Sequence, residues 1–99
     1  MTRIRVSNYM NNSSKNYSVN SLMVELGDVT LYFSYETVVA FDAPGFGITV
    51  SENDWGPTTG KHLNAIMAQK DIRLPRKQFE VELERMLTQY NLSTPDVRI

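Results

Sequence analysis

Apolar and polar residues alternate through the first half of the chain, which is the pattern of half-buried β-strands. Residues 22–26 (LMVEL) and 29–33 (VTLYF) form two such runs, and a short first strand is predicted within residues 3–9. Gly27 and Asp28 separate the two runs. Glycine followed by aspartate between alternating runs predicts a two-residue turn of type II′, because glycine accepts the positive φ that this turn requires.

Two more strands are predicted before the pattern changes. The β-branched run TVVAF at residues 37–41 and the segment ITVS at 48–51 are separated by DAPGFG, a second turn sequence rich in glycine and proline. The central region is therefore expected to be an antiparallel meander of four strands, with the N-terminal segment as a fifth.

Helical periodicity follows the strands. Apolar residues recur at helical spacing in 63–67, and a first helix is expected to continue through Gln69, with Thr58 or Thr59 capping its N-terminus. Pro75 is predicted as the first residue of a second helix, a position that suits its fixed φ and missing N–H. The apolar stripe of that helix consists of Phe79, Leu83, Met86, Leu87 and Tyr90.

This order predicts an α+β fold: an antiparallel β-meander of four to five strands followed by two α-helices packed on one face. The whole chain, 1–99, is expected to be a single domain. Residues 1–21 hold the N-terminal strand and a mobile Asn/Ser-rich loop, 22–92 the meander and helices, and 93–99 a frayed tail. The other face, with Tyr32, and the sheet edges then remain as candidate partner surfaces, and an edge also offers a route to a homo-oligomer.

Composition excludes several classes of function. The sequence has no cysteine, so disulfides and thiolate metal sites are excluded, and a reducing cytoplasmic environment is expected. No run approaches the ~18 apolar residues of a membrane span, so no membrane contact is expected. The formal net charge of −1 argues against binding nucleic acid through bulk positive charge.

The stretch GPTTGKH, residues 56–62, is similar to a phosphate-binding loop, but its spacing is wrong. Only three residues separate Gly56 from Gly60, whereas a Walker loop has four, and His62 stands where a hydroxyl residue is needed. Such a loop also requires a parallel sheet. The stretch is therefore interpreted as the start of a helix, and no cofactor is expected. Backbone N–H groups at Thr58–Lys61 remain candidates for binding an anion or for sequestering a nucleotide.

Individual side chains leave alternatives open. His62 is the only histidine, which disfavours a metal site, and it is interpreted as structural rather than as a general base. Trp55 is either a packing anchor or an exposed binding hot spot. One basic cluster is either a solvated loop or a contact for nucleic acid or another anion. Its members are Lys70, Arg73, Arg76 and Lys77.

Two segments resemble small uncharacterised proteins of bacteriophages and other mobile elements. The first segment is an aromatic-Ser-Tyr-x-Thr-x-Val-Ala stretch, and the second is Trp-x-x-Thr-Thr-Gly-Lys-His-Leu-Asn, here at 55–64; the similarity covers about residues 29–67. The matching positions are Tyr32, Ser34, Tyr35, Thr37, Val39, Ala40, Trp55, Thr58, Thr59, Gly60, Lys61, His62, Leu63 and Asn64. The resemblance implies a phage context and no established activity.

These features favour a non-catalytic accessory protein that binds a macromolecule, with a host or anti-phage defence protein as the expected partner. The sequence contains no recognisable catalytic constellation. A nucleic-acid-binding module and an anion-binding or nucleotide-binding protein are the alternatives. The expected contact residues are Tyr32, Tyr35, Trp55, Thr58, Thr59, Lys61, His62 and Asn64.

Overall fold

The computed structural model describes residues 4–10 and 20–92 of the chain. Five strands form one antiparallel sheet in which each strand pairs with its neighbours along the chain, so the predicted meander is confirmed with the N-terminal strand included. The predicted Asn/Ser-rich loop falls mostly at 11–19, and the predicted tail is 93–99; both lie outside the described residues. The strands are β1 (Ile4–Asn8), β2 (Leu22–Leu26), β3 (Val29–Ser34), β4 (Thr37–Ala43) and β5 (Gly47–Val50).

Glycines form the two predicted turns. Gly27 has φ +64° between β2 and β3, where Leu26 pairs with Val29, and Asp28 does not share the positive φ. A positive φ at the first turn residue alone is the feature of a type II′ turn. Between β4 and β5, Gly45 has φ +87° directly after Pro44, the residue order that favours a type II turn.

Two α-helices follow the sheet: α1 (Pro57–Ile66) and α2 (Arg76–Gln89), with a short 3₁₀ helix at Lys70–Ile72 between them. The first helix is shorter than predicted because Met67 adopts an extended conformation, with φ −158° and ψ 108°. Pro75 precedes α2 instead of beginning it, and its carbonyl accepts a hydrogen bond from the N–H of Phe79 at 2.9 Å. Of the helices in the described residues, none combines the length and the apolar composition needed to cross a membrane.

Helix α2 covers one face of the sheet. Its predicted apolar stripe packs against side chains that alternate along β3 and β4, of which Leu31 and Phe41 are the central pair. The Phe79 ring lies 5.7 Å from the Phe41 ring, centroid to centroid. The buried members of this core are Val29, Leu31, Val38, Phe41, Ala43, Phe79, Leu83, Met86 and Leu87.

Helix α1 covers the opposite face, so the prediction that both helices share one face is wrong. Leu63 of α1 packs with Val39 and Ala40, and Tyr32 adjoins this second core. Neighbouring residues of a strand point to opposite faces. Ala40 is next to Phe41 and Tyr32 is next to Leu31, and both of these neighbours belong to the core beneath α2. A bulge at Val39 places Val39 and Ala40 in the same cluster. The face with Tyr32 is therefore covered.

The two outer edges of the sheet differ. Beyond β5, Leu74 continues the backbone pairing: its N–H donates to the carbonyl of Val50 at 2.8 Å, and its carbonyl accepts from the N–H of Glu52 at 2.8 Å. The outer edge of β1 pairs with no strand of the described residues. Ile4 and Val6 of this strand are exposed.

Candidate functional site

The start of α1 is fixed by an asparagine side chain and not by the predicted threonines. Gly56 is the N-cap residue and makes no side-chain cap, and Pro57 is the first helical residue. Asn53 Oδ1 accepts from the N–H of Trp55 at 2.9 Å, and its Nδ2 donates to the carbonyl of Gly56 at 3.0 Å. These two hydrogen bonds hold residues 53–56, which we call the Trp55 loop, against the start of the helix. The prediction that Thr58 or Thr59 caps the helix is wrong, because both residues lie inside the helix.

Thr59 uses its hydroxyl in a buried polar cluster between β3 and α1. Its Oγ1 lies 2.9 Å from Oγ of Ser34, and the same Ser34 oxygen lies 2.6 Å from Nδ1 of His62. All three side chains are buried, and His62 is fully so. Buried polar groups of this kind are costly unless they are hydrogen-bonded to each other. The cluster therefore attaches α1 to the end of β3.

Aromatic rings surround the buried histidine. The rings of Tyr9 and Tyr35 lie 6.0 Å and 5.9 Å from the His62 ring, and Tyr9 also packs edge-on against Tyr32 at 5.5 Å. The Tyr9 hydroxyl donates to the carbonyl of Phe33 at 2.7 Å. Burial raises the pKa of Tyr9 well above its ordinary range. The pKa of Tyr32 is also raised, first by burial and then by Asp42 and Glu25.

Replacing Tyr9 with phenylalanine tests this environment through the pH dependence of stability. Because the folded-state pKa is raised, Tyr9 stabilises the fold fully below the ordinary tyrosine value of 10.0, and this contribution is lost as the pH rises above it. We expect the free energy of unfolding of the wild type to fall more steeply above that pH than that of Tyr9→Phe. Urea unfolding at a series of alkaline pH values measures both slopes, and equal slopes would contradict the assignment.

A small cavity opens beside the buried polar cluster. We call it the Trp55 pocket; its volume is about 120 Å³, and it is lined by Ser34, Tyr35, Thr37, Val39, Trp55 and Thr59. Ser34 and Thr59 are buried and supply hydroxyl groups at its base, whereas Trp55 and Tyr35 are 44% and 51% exposed. The pocket thus combines a polar base with two accessible aromatic walls.

The backbone of Tyr35 is strained at the mouth of this pocket. Tyr35 has φ +56°, a left-handed conformation that costs a bulky side chain roughly 1–2 kcal/mol. Its N–H donates to the carbonyl of Asn20 at 2.8 Å, which holds the residue in place. Tyr35 is the first residue of the two-residue turn between Ser34 and Thr37, which pair with each other, so the turn accounts for its positive φ.

An arginine from α2 supports the Trp55 loop. The Arg76 guanidinium carbon lies 5.0 Å from the Trp55 ring centroid, within the range of a cation–π interaction. Arg76 also donates to the carbonyl of Val38 at 2.9 Å and to a Glu80 carboxylate oxygen at 3.0 Å. Trp55 is therefore packed against Arg76 and also partly exposed, which supports the packing alternative and leaves the binding hot spot a prediction.

The predicted basic cluster divides into two pairs. Lys70 and Lys77 are exposed. Arg73 is buried and donates through Nη2 to Oδ1 of Asn64 at 3.0 Å and to the carbonyl of Met67 at 2.9 Å. Arg76 makes the internal contacts given above. Two of the four cations thus hold the fold together, and the cluster is not one continuous solvent-facing surface.

Comparison with known families gives one match. The model of a family of unknown function, DUF8033, matches residues 4–81. The chain belongs to the DUF8033 family. No curated protein and no solved structure matches it significantly. The matched range extends from β1 into α2 and includes every residue of the Trp55 pocket.

In this DUF8033 member, the predicted contact residues divide between different places. Trp55, Thr59 and Tyr35 meet in the Trp55 pocket, with His62 behind its base. Four others do not line it: Tyr32 lies in the second core, Thr58 and Lys61 lie elsewhere on α1, and Asn64 contacts Arg73.

Sequence reasoning missed Tyr9 and Asn53, and it gave Ser34 no chemical role. Ser34 lies on the same face of β3 as Tyr32 because residues two apart in a strand share a face, so this orientation could be predicted from the sequence. Its partners lie 25 and 28 residues away along the chain, and that proximity was not readable.

Proposed function

We propose that this DUF8033 member is a non-catalytic accessory protein that acts by binding a macromolecule through the Trp55 pocket. The observation that supports the proposal is the pairing of two exposed aromatic side chains with a cavity of about 120 Å³. Small-molecule pockets typically measure about 300–1,000 Å³. A cavity well below that range suits a single side chain of a partner, inserted between Trp55 and Tyr35. Tryptophan and tyrosine are also the residues enriched at binding hot spots.

The outer edge of β1, which pairs with no strand of residues 4–10 and 20–92, is the second surface in this proposal. An edge strand presents N–H and C=O groups that an extended segment of another chain can pair with. Ile4 and Val6 add exposed apolar area on the same strand. Such a segment belongs either to the partner or to a second copy of this chain, which would give a homo-oligomer.

The resemblance at Trp55–Asn64 adds a biological context to the proposal. Because this segment resembles proteins of bacteriophages and mobile elements, the partner we propose is a host or anti-phage defence protein met in the host cytoplasm. A small protein that inactivates such a partner needs no catalytic group, because binding alone blocks a surface.

Replacing Trp55 with alanine tests the binding role. Truncating a central aromatic hot spot typically costs at least about 2 kcal/mol of binding free energy, which is roughly 30-fold in affinity. We expect a host protein captured by the wild type from infected-cell lysate to be lost with Trp55→Ala. Quantitative mass spectrometry identifies the captured protein, and titration with the purified partner then measures the affinity ratio.

Ile72→Ala is the matched control, because Ile72 is 42% exposed and lies outside the pocket. It should capture the partner as the wild type does, and both variants should unfold at similar urea concentrations. Equal capture by Trp55→Ala and wild type would contradict the proposal, as would equal loss in both variants.

The alternatives receive less support from the geometry. A nucleic-acid surface needs free cations, and Arg73 and Arg76 are engaged internally. The cavities that adjoin α1 measure about 120 and 240 Å³, below the size typical of pockets for nucleotides and other drug-sized ligands. Filter binding at several salt concentrations tests the nucleic-acid alternative, because phosphate contacts make the affinity depend steeply on salt concentration.

A further inference from the structure

A second cavity lies on α1 at residues that the Trp55 pocket does not use. Its volume is about 240 Å³, and we call it the Arg73 pocket. Its lining comes from the loop before α1, from one side of α1 and from the segment around the 3₁₀ helix. The lining residues are Glu52, Asn53, Gly60, Asn64, Lys70 and Arg73.

No carboxylate of residues 4–10 and 20–92 forms an ion pair with the buried charge of Arg73. Arg73 is only 8% exposed. Its Nη2 is used by Asn64 and Met67, but its Nε makes no hydrogen bond in that part of the chain. A buried cation is unfavourable unless it is paired with an opposite charge.

The remaining groups of the pocket suit an anion that carries one negative charge. Lys70 and Arg73 are two cations and Glu52 is one carboxylate, so the lining has a net charge of +1. Because Oδ1 of Asn64 accepts from Arg73, its NH₂ group remains as a donor. Gly60 is the other motif residue here, and a Cβ at this position would meet Nδ2 of Asn53 at 3.1 Å. Glycine therefore permits the close packing of the Asn53 side chain that helps to form the wall.

We propose that the Arg73 pocket binds a carboxylate group. The Arg73 guanidinium supplies the compensating charge, whereas Lys70 and the Asn64 amide supply donors at the accessible side. Glu52 disfavours a doubly charged anion such as phosphate. The carboxylate is that of a free small acid or of an acidic residue of a partner protein, and the site is independent of the proposed role of Trp55.

Titration monitored by NMR of the ¹⁵N-labelled protein tests the proposal at constant ionic strength. We expect acetate to shift the amide signals of Gly60 and Asn64 along saturating curves, and inorganic phosphate to bind more weakly. An amidated peptide with one internal glutamate distinguishes the sources: tighter binding than acetate assigns the site to a partner protein, and equal or weaker binding assigns it to a free acid. Shifts that never saturate, or tighter binding of phosphate, would overturn the proposal.

Charge variants give the sign of each contribution. Lys70→Gln should weaken acetate binding and Glu52→Gln should strengthen it, each by roughly two- to fivefold. Lys77→Gln and Asp54→Asn make the same changes in net charge at exposed residues outside the pocket and should leave the affinity unchanged. Equal effects of the paired variants would reject a localised site. Trp55→Ala should bind acetate as the wild type does, so failure of either site is separable from failure of the other.

Discussion

Replacing Phe79 with alanine is expected to lower the free energy of unfolding by about 3–5 kcal/mol, the cost typical of truncating a buried aromatic residue. Phe79 is fully buried, packs 5.7 Å from the Phe41 ring and anchors α2 to its face of the sheet. Domains of this kind have total stabilities of about 5–15 kcal/mol. The variant therefore loses a large share of its stability, which urea unfolding followed by circular dichroism measures.

Val81→Ala is the control for this experiment. Val81 lies two residues further along α2 and is 57% exposed, so its truncation should change stability by no more than about 0.5 kcal/mol. Similar losses in both variants would mean that α2 does not bury the stripe described for it.

Replacing His62 with alanine is expected to lower the free energy of unfolding by about 3 kcal/mol. The substitution leaves a cavity at a fully buried position and removes the Nδ1 atom that contacts Ser34 at 2.6 Å. Because Ser34 and Thr59 form the base of the Trp55 pocket, the variant should also lose the pocket geometry. Urea unfolding gives the stability, and partner capture gives the second measurement.

Thr59→Ser separates the hydrogen bond from simple packing. Serine keeps a hydroxyl group facing Ser34 and removes one methyl group, so the expected cost is only about 1 kcal/mol. If His62→Ala were no more destabilising than Thr59→Ser, the buried cluster would not be what attaches α1 to β3.

Most of the fold was predictable because periodicity is local. Alternation predicted the strands, glycine position predicted the turns, and the apolar stripe predicted α2. The error about the helix faces had a readable warning in β4, whose central residues Val38 to Phe41 are all fully buried. A continuous apolar run of this kind is typical of a strand covered on both faces. Because this run was interpreted as an ordinary strand, a helix on the second face of the sheet was not predicted.

The candidate sites were less predictable because they depend on contacts between distant segments. Arg73 and Arg76 look like surface cations in the sequence, and only the backbone carbonyls of Met67 and Val38 show that they are internal. The threonines after Gly56 match a helix cap, but both lie inside the helix, and the Asn53 side chain instead hydrogen-bonds to the backbone of Trp55 and Gly56 just before it. Trp55 and Thr59 were predicted as contact residues, but the pocket that they line also includes Tyr35, which the turn after β3 brings to them.

The stacking of Arg76 on Trp55 has a practical consequence, since this is the only tryptophan of the chain. Its fluorescence emission arises at the proposed binding pocket and beside the guanidinium that joins the loop to α2. A single optical signal is therefore expected to respond to occupancy of the proposed pocket and to separation of the loop from α2, without any added dye or label.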